Sequence, residues 1–250
     1  MALEESKEIH ALAQSGLLAK FSRQWMRSVG SSYTYQFEWC GLPIIQYPTD
    51  VFALQELIWE MKPRNIIETG VARGGSALFL ASMLALLDLE EQSHLPNSTF
   101  KQSRKLFAID IDIRDYARHG IENSFLAPWI NLVQGNSVDK STYENFLGKL
   151  NELGPTILIL DSNHTHDHVL KELRMYSGLV TLDSYIVVLD TEIEFLPDDN
   201  FIDRPWKKGN SPHSALTQFL LENPNFMIDH DKSSKLGITT APDGFLKRIS

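Results

Sequence analysis

Short, almost uninterrupted apolar runs alternate along this chain with longer stretches of helical period, and acidic residues recur where the runs end. Lys105-Leu106-Phe107-Ala108-Ile109-Asp110, Pro155-Thr156-Ile157-Leu158-Ile159-Leu160-Asp161 and Ser184-Tyr185-Ile186-Val187-Val188-Leu189-Asp190 are such runs. They suit parallel strands covered on both faces. Asn65-Ile66-Ile67-Glu68 and Ile130-Asn131-Leu132-Val133-Gln134 extend the series. Helical patterns lie between them, at about 75–87, at 138–150 and around Val169, Leu170 and Leu173. Alternation of this kind predicts an α/β fold with a mostly parallel sheet. Phe226–Asp229 and Phe245–Arg248 predict a closing antiparallel pair, after a helix over 211–222 that Ser211-Pro212 starts.

The pattern before residue 61 differs. Residues 4–29 read as a helix with Leu12, Leu17, Leu18, Phe21, Trp25 and Met26 on a broad apolar face and Gly16 inside it. Ser31-Ser32 breaks it. The aromatic stretch from Tyr33 to Pro43 reads as a short strand or ordered loop packed over the core, with Trp39 or Tyr35 lining a site as the alternative. Pro48-Thr49-Asp50 opens a further helix, capped by Thr49 or Asp50, that buries Leu54, Leu57, Ile58 and Met61 and stops at Pro63. This divides the chain into an N-terminal helical extension or lid (1–60) and a main domain (61–250). Residues 88–104 predict a long polar surface loop with His94 solvated, and 195–210 a second loop.

Composition narrows the function classes. The 250 residues are 43% hydrophobic, enough for a substantial core. A net charge of −9 argues against nucleic-acid binding. Cys40 is the only cysteine, which excludes an internal disulfide or a cysteine-built zinc site. No apolar run reaches the length of a membrane span, the first residues lack the pattern of a secretory signal, and a cytoplasmic location is the expectation.

The change from strand to helix at Asn65–Ser76 is the most informative stretch. It reads Glu68-Thr69-Gly70-Val71-Ala72-Arg73-Gly74-Gly75-Ser76. Gly70 can take backbone angles closed to other residues, and Gly74 and Gly75 are expected to let main chain approach a bound molecule. The helix beyond aims unpaired N–H groups at the crevice. The spacing is not the G-x-G-x-x-G of dinucleotide folds. It resembles the first motif of class I S-adenosylmethionine (SAM) methyltransferases, in which the acid reaches the amino group of the cofactor. An ordinary tight turn is the plainer alternative.

Acids also end the later strands. Asp110, with Asp112 as the alternative, is placed to hold a ribose. Asp161 and Asp190 are candidates for a hard divalent cation, Mg²⁺, beside an acceptor hydroxyl. His164, three residues past Asp161, is positioned as a general base. Each has a structural alternative: Asp161 and one of Asp110 and Asp112 as helix caps, Asp190 as a plain strand-end acid. His166 and His168 read as exposed or structural.

The motifs together resemble the cephalosporin hydroxylase-like family of SAM-dependent methyltransferases, which includes rhamnosyl O-methyltransferases. The matching residues are Trp39-Cys40-Gly41-Leu42-Pro43, Glu68–Ser76, Ile109-Asp110-Ile111-Asp112-Ile113-Arg114, Asp161-Ser162-Asn163-His164, Val188-Leu189-Asp190-Thr191 and Gly244–Arg248. The resemblance implies a Rossmann-like seven-stranded sheet with helices on both faces. It implies SAM contacts at Glu68, Gly70, Ala72, Arg73, Gly74, Ser76, Asp110 or Asp112 and Asp161, and adenine contacts at Asn136 or Ser137, unless Ser137 caps the next helix. It implies Mg²⁺ at Asp161 and Asp190, and a base at His164. The family often has an acid just before the last of these strand-end aspartates. Leu189 stands there, which leaves Thr191 or Glu192 to complete the metal shell.

The expected function is O-methylation of a sugar or glycosylated small molecule. The alternatives are a nicotinamide-dependent oxidoreductase, against which the glycine spacing and the lack of a Tyr-x-x-x-Lys pair argue, and a non-catalytic SAM-binding partner protein. A homo-oligomer is possible through the apolar N-terminal helix.

Overall fold

The computed structural model describes residues 16–30, 32–93, 100–150 and 154–250. The elements in chain order are α1 (Leu17–Val29), β1 (Glu38–Trp39), β2 (Leu42–Pro43), α2 (Pro48–Met61), β3 (Asn65–Thr69), α3 (Gly75–Ser93), β4 (Lys105–Asp110), α4 (Asp115–Glu122), β5 (Ile130–Gln134), α5 (Lys140–Lys149), β6 (Thr156–Leu160), α6 (His166–Tyr176), β7 (Tyr185–Val188), α7 (Pro212–Glu222), β8 (Phe226–Ile228), α8 (His230–Ser234) and β9 (Phe245–Arg248). The main sheet has seven strands in the order β5-β4-β3-β6-β7-β9-β8. The first five of that order run parallel, and β9 is antiparallel to both β7 and β8. The strand order reverses between β3 and β6, which is where α/β sheets open a ligand crevice.

Side chains alternate across the sheet with a period of two, and two cores result. Ile66, Leu106, Ala108, Ile157, Ile159 and Val187 face α2 and α3. Ile67, Phe107, Ile109, Leu158, Leu160 and Val188 face α5, α6 and α7. Helices therefore cover both faces, as expected. No described helix is long and apolar enough to cross a membrane.

Described residues before position 61 contribute to the first core. Leu57 and Ile58 of α2 are fully buried there. Trp39 packs edge-on against Phe79 and donates to Ser82 Oγ, so it is a packing residue. Tyr35 is half-exposed and lies under the Arg73 guanidinium. The α2 cap differs from expectation: Tyr47 occupies that position, while Thr49 and Asp50 turn to the chain at Ile238–Thr240. A side chain bonded to a distant backbone is no longer free to cap its own helix.

In α1, Gly16 is the N-cap in a left-handed conformation, not a mid-helix residue, and residues 4–15 lie outside the described chain. Leu17 and Phe21 are exposed and only Ser22 and Met26 are buried, because α1 meets the body along one narrow stripe.

The loop expected at 88–104 begins instead as a continuation of α3 to Ser93. Asp88 is fully buried and accepts from Arg104 Nη1 at 2.7 Å and Trp129 Nε1 at 2.8 Å. His94 lies outside the described residues. The helix expected at 138–150 runs from Lys140 to Lys149 with Asp139 at its N-cap, so Ser137 does not cap it.

Candidate active site

The carboxyl ends of β3, β6 and β7 meet at the reversal of strand order and carry the predicted acids. Glu68 sits within β3, 1% exposed. Ser76, at the start of α3, lies near its carboxyl, while Glu68 Oε2 has no hydrogen-bond partner among the described residues. Burial pushes this carboxyl up to about 8. An uncompensated buried carboxylate is costly, and a cationic ligand at that oxygen relieves the cost.

Gly70 follows with φ +98°, and a Cβ there would meet the Asp161 carbonyl oxygen at 2.1 Å. The glycine is therefore required by the neighbouring strand tip as well as by the turn. Gly74 and Gly75 are required by the β1–β2 hairpin. A Cβ at Gly74 would meet Leu42 Cδ1 at 2.9 Å, and one at Gly75 would meet the Pro43 carbonyl oxygen at 2.4 Å.

Asp110 closes the loop from the side. Its Oδ2 accepts from Val71 N at 2.7 Å and Ala72 N at 3.1 Å, and its Oδ1 accepts from Asp112 N at 3.0 Å. These bonds hold Ala72 at φ +45°. Asp112 itself is exposed. Asn136 is half-buried and caps the amide of Val138. Ser137 is buried and donates to Glu172 Oε1, within a network that also takes in Ser162 and His168. His168 is thus structural, as expected. His166 meets Ser214 and Gln218 of α7, which the same expectation covers.

Asp161, His164 and Asp190 come together, with one ligand atom from each within 4.8 Å of the others. His164 Nε2 is 3.1 Å from Asp190 Oδ2, and the imidazole packs edge-on against Trp206. Asp190 adopts φ +55°, a left-handed conformation that turns its carboxylate into the group. Burial, then Asp190 and Glu68, hold the Asp161 carboxyl well above the usual range. Leu189 is buried and apolar. Thr191 is not brought to the cluster: its hydroxyl donates to the Pro242 carbonyl at 2.6 Å.

Other participants gave no local signal. Gln46 Nε2 donates to Asp161 Oδ2 at 2.9 Å, and Gln46 Oε1 is buried without a partner among the described residues. Tyr47, stacked on Tyr33, has its hydroxyl pushed up to about 12 by burial and by Glu192, Asp190 and Asp50. Pro43 and Pro48 bracket these residues, the one hint in the sequence that this stretch is held rigidly.

The sheet order, the glycine turn and the acids at the strand ends define a Rossmann-like methyltransferase of class I architecture. A model of the family described as Rhamnosyl O-methyltransferase/CmcI matches residues 31–249. The chain belongs to that family. The rhamnosyl O-methyltransferase of Mycobacterium leprae (strain TN) is 28% identical over 215 residues, 84% of this chain and 82% of that protein. That of Mycobacterium tuberculosis (strain ATCC 25618 / H37Rv) is 29% identical over 203 residues, 80% of this chain and 73% of that one. Two solved structures share the fold. The cmcI-D160 Mg-SAM structure has TM-score 0.53 at 19% identity, covering 86% of this chain and 78% of that one. The O-methyltransferase from Bacillus cereus in complex with SAH has TM-score 0.55 at 16% identity, covering 82% of each.

Proposed function

We propose that this chain is a SAM-dependent O-methyltransferase that methylates a hydroxyl of a sugar or a glycosylated small molecule. The observation that carries the reading is the Asp161–His164–Asp190 group beside the partnerless Glu68 oxygen at the reversal of strand order. The family supports it, as do the rhamnosyl O-methyltransferase names of the relatives.

The residues present fit both expected groups. Glu68 Oε2 offers an unpaired acceptor to the ammonium of SAM, beside the Gly70 turn. Arg73, Ala72, Gly74 and Ser76 belong to that turn, and Asp110 or Asp112 is assigned to the ribose, with Asn136 and Ser137 near the adenine. Asp161 and Asp190 offer hard oxygen ligands whose mutual repulsion a divalent cation would relieve. Mg²⁺ bound there supplies Lewis acidity that lowers the pKa of the acceptor hydroxyl.

His164 takes the hydroxyl proton at Nδ1, its Nε2–H held by Asp190. The acceptor oxygen attacks the methyl carbon in line. SAM held at Glu68 would supply the methyl group and keep the bonding electron pair on its sulfur as a thioether, leaving the methyl ether. Gln46 fixes Asp161 throughout. Thr191 is left out of the metal shell, since its hydroxyl is committed to a backbone carbonyl.

His164→Ala tests this. Turnover on rhamnoside acceptors should fall by about 10²–10⁴-fold, with the calorimetric affinity for SAM nearly unchanged. Unchanged turnover would remove His164 from the mechanism. Binding of NAD but not SAM would favour the oxidoreductase alternative. SAM binding without transfer to any glycan acceptor would favour a non-catalytic partner protein.

A further inference from the structure

Among the buried residues of α6, Val169, Leu170 and Leu173 are apolar and Glu172 is an acid, fully buried. Its Oε1 accepts from Ser137 Oγ at 2.5 Å and from Ser162 Oγ at 2.7 Å. Ser137 follows β5 and Ser162 follows β6, two strands that β4 and β3 separate in the sheet. One carboxyl thus draws two distant strand exits together at the side of the crevice. A hydroxyl has a single hydrogen, and both serines spend theirs on Glu172. His168 Nε2, 3.0 Å from Ser137 Oγ and 3.3 Å from Ser162 Oγ, must then carry the hydrogen of those contacts. The patch therefore holds more acceptors than hydrogens, and Glu172 Oε2 has no hydrogen-bond partner among the described residues. An excess of buried acceptors is completed by a donor from outside. Asn136, next to Ser137, has the opposite sense: its Oδ1 accepts from Val138 N at 3.3 Å, which leaves its side-chain N–H groups as donors.

We propose that Glu172 is a positioning residue that makes the cofactor site selective for a 6-aminopurine over a 6-oxopurine. The inference rests on the SAM reading above, with Asn136 and Ser137 at the base. By holding both hydroxyl hydrogens, Glu172 leaves Ser137 and Ser162 only lone pairs to present to the base edge. The exocyclic amine of adenine donates to that patch, and its N1 accepts from Asn136. Hypoxanthine carries the reverse pattern, a carbonyl oxygen at C6 and a hydrogen on N1. Its oxygen would face lone pairs, and neither serine can turn its hydrogen outward without stripping a buried carboxyl of a donor. Tyr176 steadies the arrangement: its hydroxyl donates to the Ser137 carbonyl at 2.8 Å, which fixes the backbone under that serine.

The test compares S-adenosylhomocysteine with its deaminated form, S-inosylhomocysteine, by calorimetry on the full chain. Wild type should favour the adenosyl compound by about 10–100-fold, the cost of leaving buried polar groups unpaired. Glu172→Leu frees the serine hydroxyls to turn toward a carbonyl, and should bring the two affinities within about threefold of each other. Glu172→Gln, whose amide oxygen accepts from both serines, should keep the wild-type ratio. A purely structural role would lower the melting temperature of Glu172→Leu and weaken both ligands by the same factor. An unaltered ratio in Glu172→Leu, or its loss in Glu172→Gln, therefore overturns the inference. Where Glu172→Leu does not fold, Ser162→Ala decides: it removes one acceptor and should narrow the ratio by about fivefold, and an unaltered ratio there overturns the inference equally. A wild type that binds both compounds alike overturns it and leaves the methyl-donor reading standing. A wild type that binds neither overturns both.

Discussion

Two regions build one site by opposite means. The tips of β3, β6 and β7 bring titratable groups: Glu68, Asp161, Asp190 and His164. The stretch from Leu42 to Asp50 brings shape, filling the space beside Gly74 and Gly75 and placing Gln46 on Asp161. Acids gathered this closely repel one another and resist burial, as the raised Asp161 and Glu68 carboxyls record. They stay together because a second part of the chain, distant in sequence, locks the strand tips. Reactive groups and the parts that hold them are thus separate inheritances of the fold.

The comparison breaks first at the charged side. Asp161→Asn should lower kcat by about 10²–10⁴-fold while raising the melting temperature of the ligand-free protein, because a buried repelled carboxylate is gone. A lower melting temperature would mean that Asp161 is a structural acid. The next effect is on pH dependence. Burial lifts the folded Glu68 carboxyl from 4.5 to about 8, so the folded state keeps its proton longer than the unfolded chain. Across that interval stability falls as pH rises. Ligand-free wild type should therefore lose stability from about pH 5 to pH 8, and Glu68→Gln should flatten that slope in urea titrations. An identical slope in the variant would assign the loss to other groups, Asp50 among them.

The holding side gives smaller effects. Gly75→Ala drives a methyl group into the Pro43 carbonyl and should destabilise by about 1–3 kcal/mol, although at an open helical position the same change gains up to about 1 kcal/mol. A stabilised Gly75→Ala would detach the hairpin from the glycine turn. Gln46→Leu removes one hydrogen bond to Asp161 and should lower kcat/KM by about five- to tenfold with little change in stability. Activity equal to wild type would confine Gln46 to packing.

The charged side was legible in the sequence and the holding side was not. Acids at the ends of apolar runs announce themselves, because strand period and strand end are local properties. Gln46 reaches Asp161 across 115 positions, and nothing in its neighbours says so. The glycines were recognised but the hairpin packed beside them was not, since a Gly shows that space is needed and not what fills it. Asp88 was read as part of a polar loop, yet it falls four residues after Leu84 on the apolar face of α3, the one sign that it is buried.

That buried aspartate has a practical side. Asp88 and Arg104 clasp the two ends of the stretch between α3 and β4, with Ser103 and Trp129 completing the clasp. The clasp ties the end of α3 to the chain that enters β4. Losing the Asp88 carboxylate should therefore loosen both elements together, and the melting transition should report it as one event.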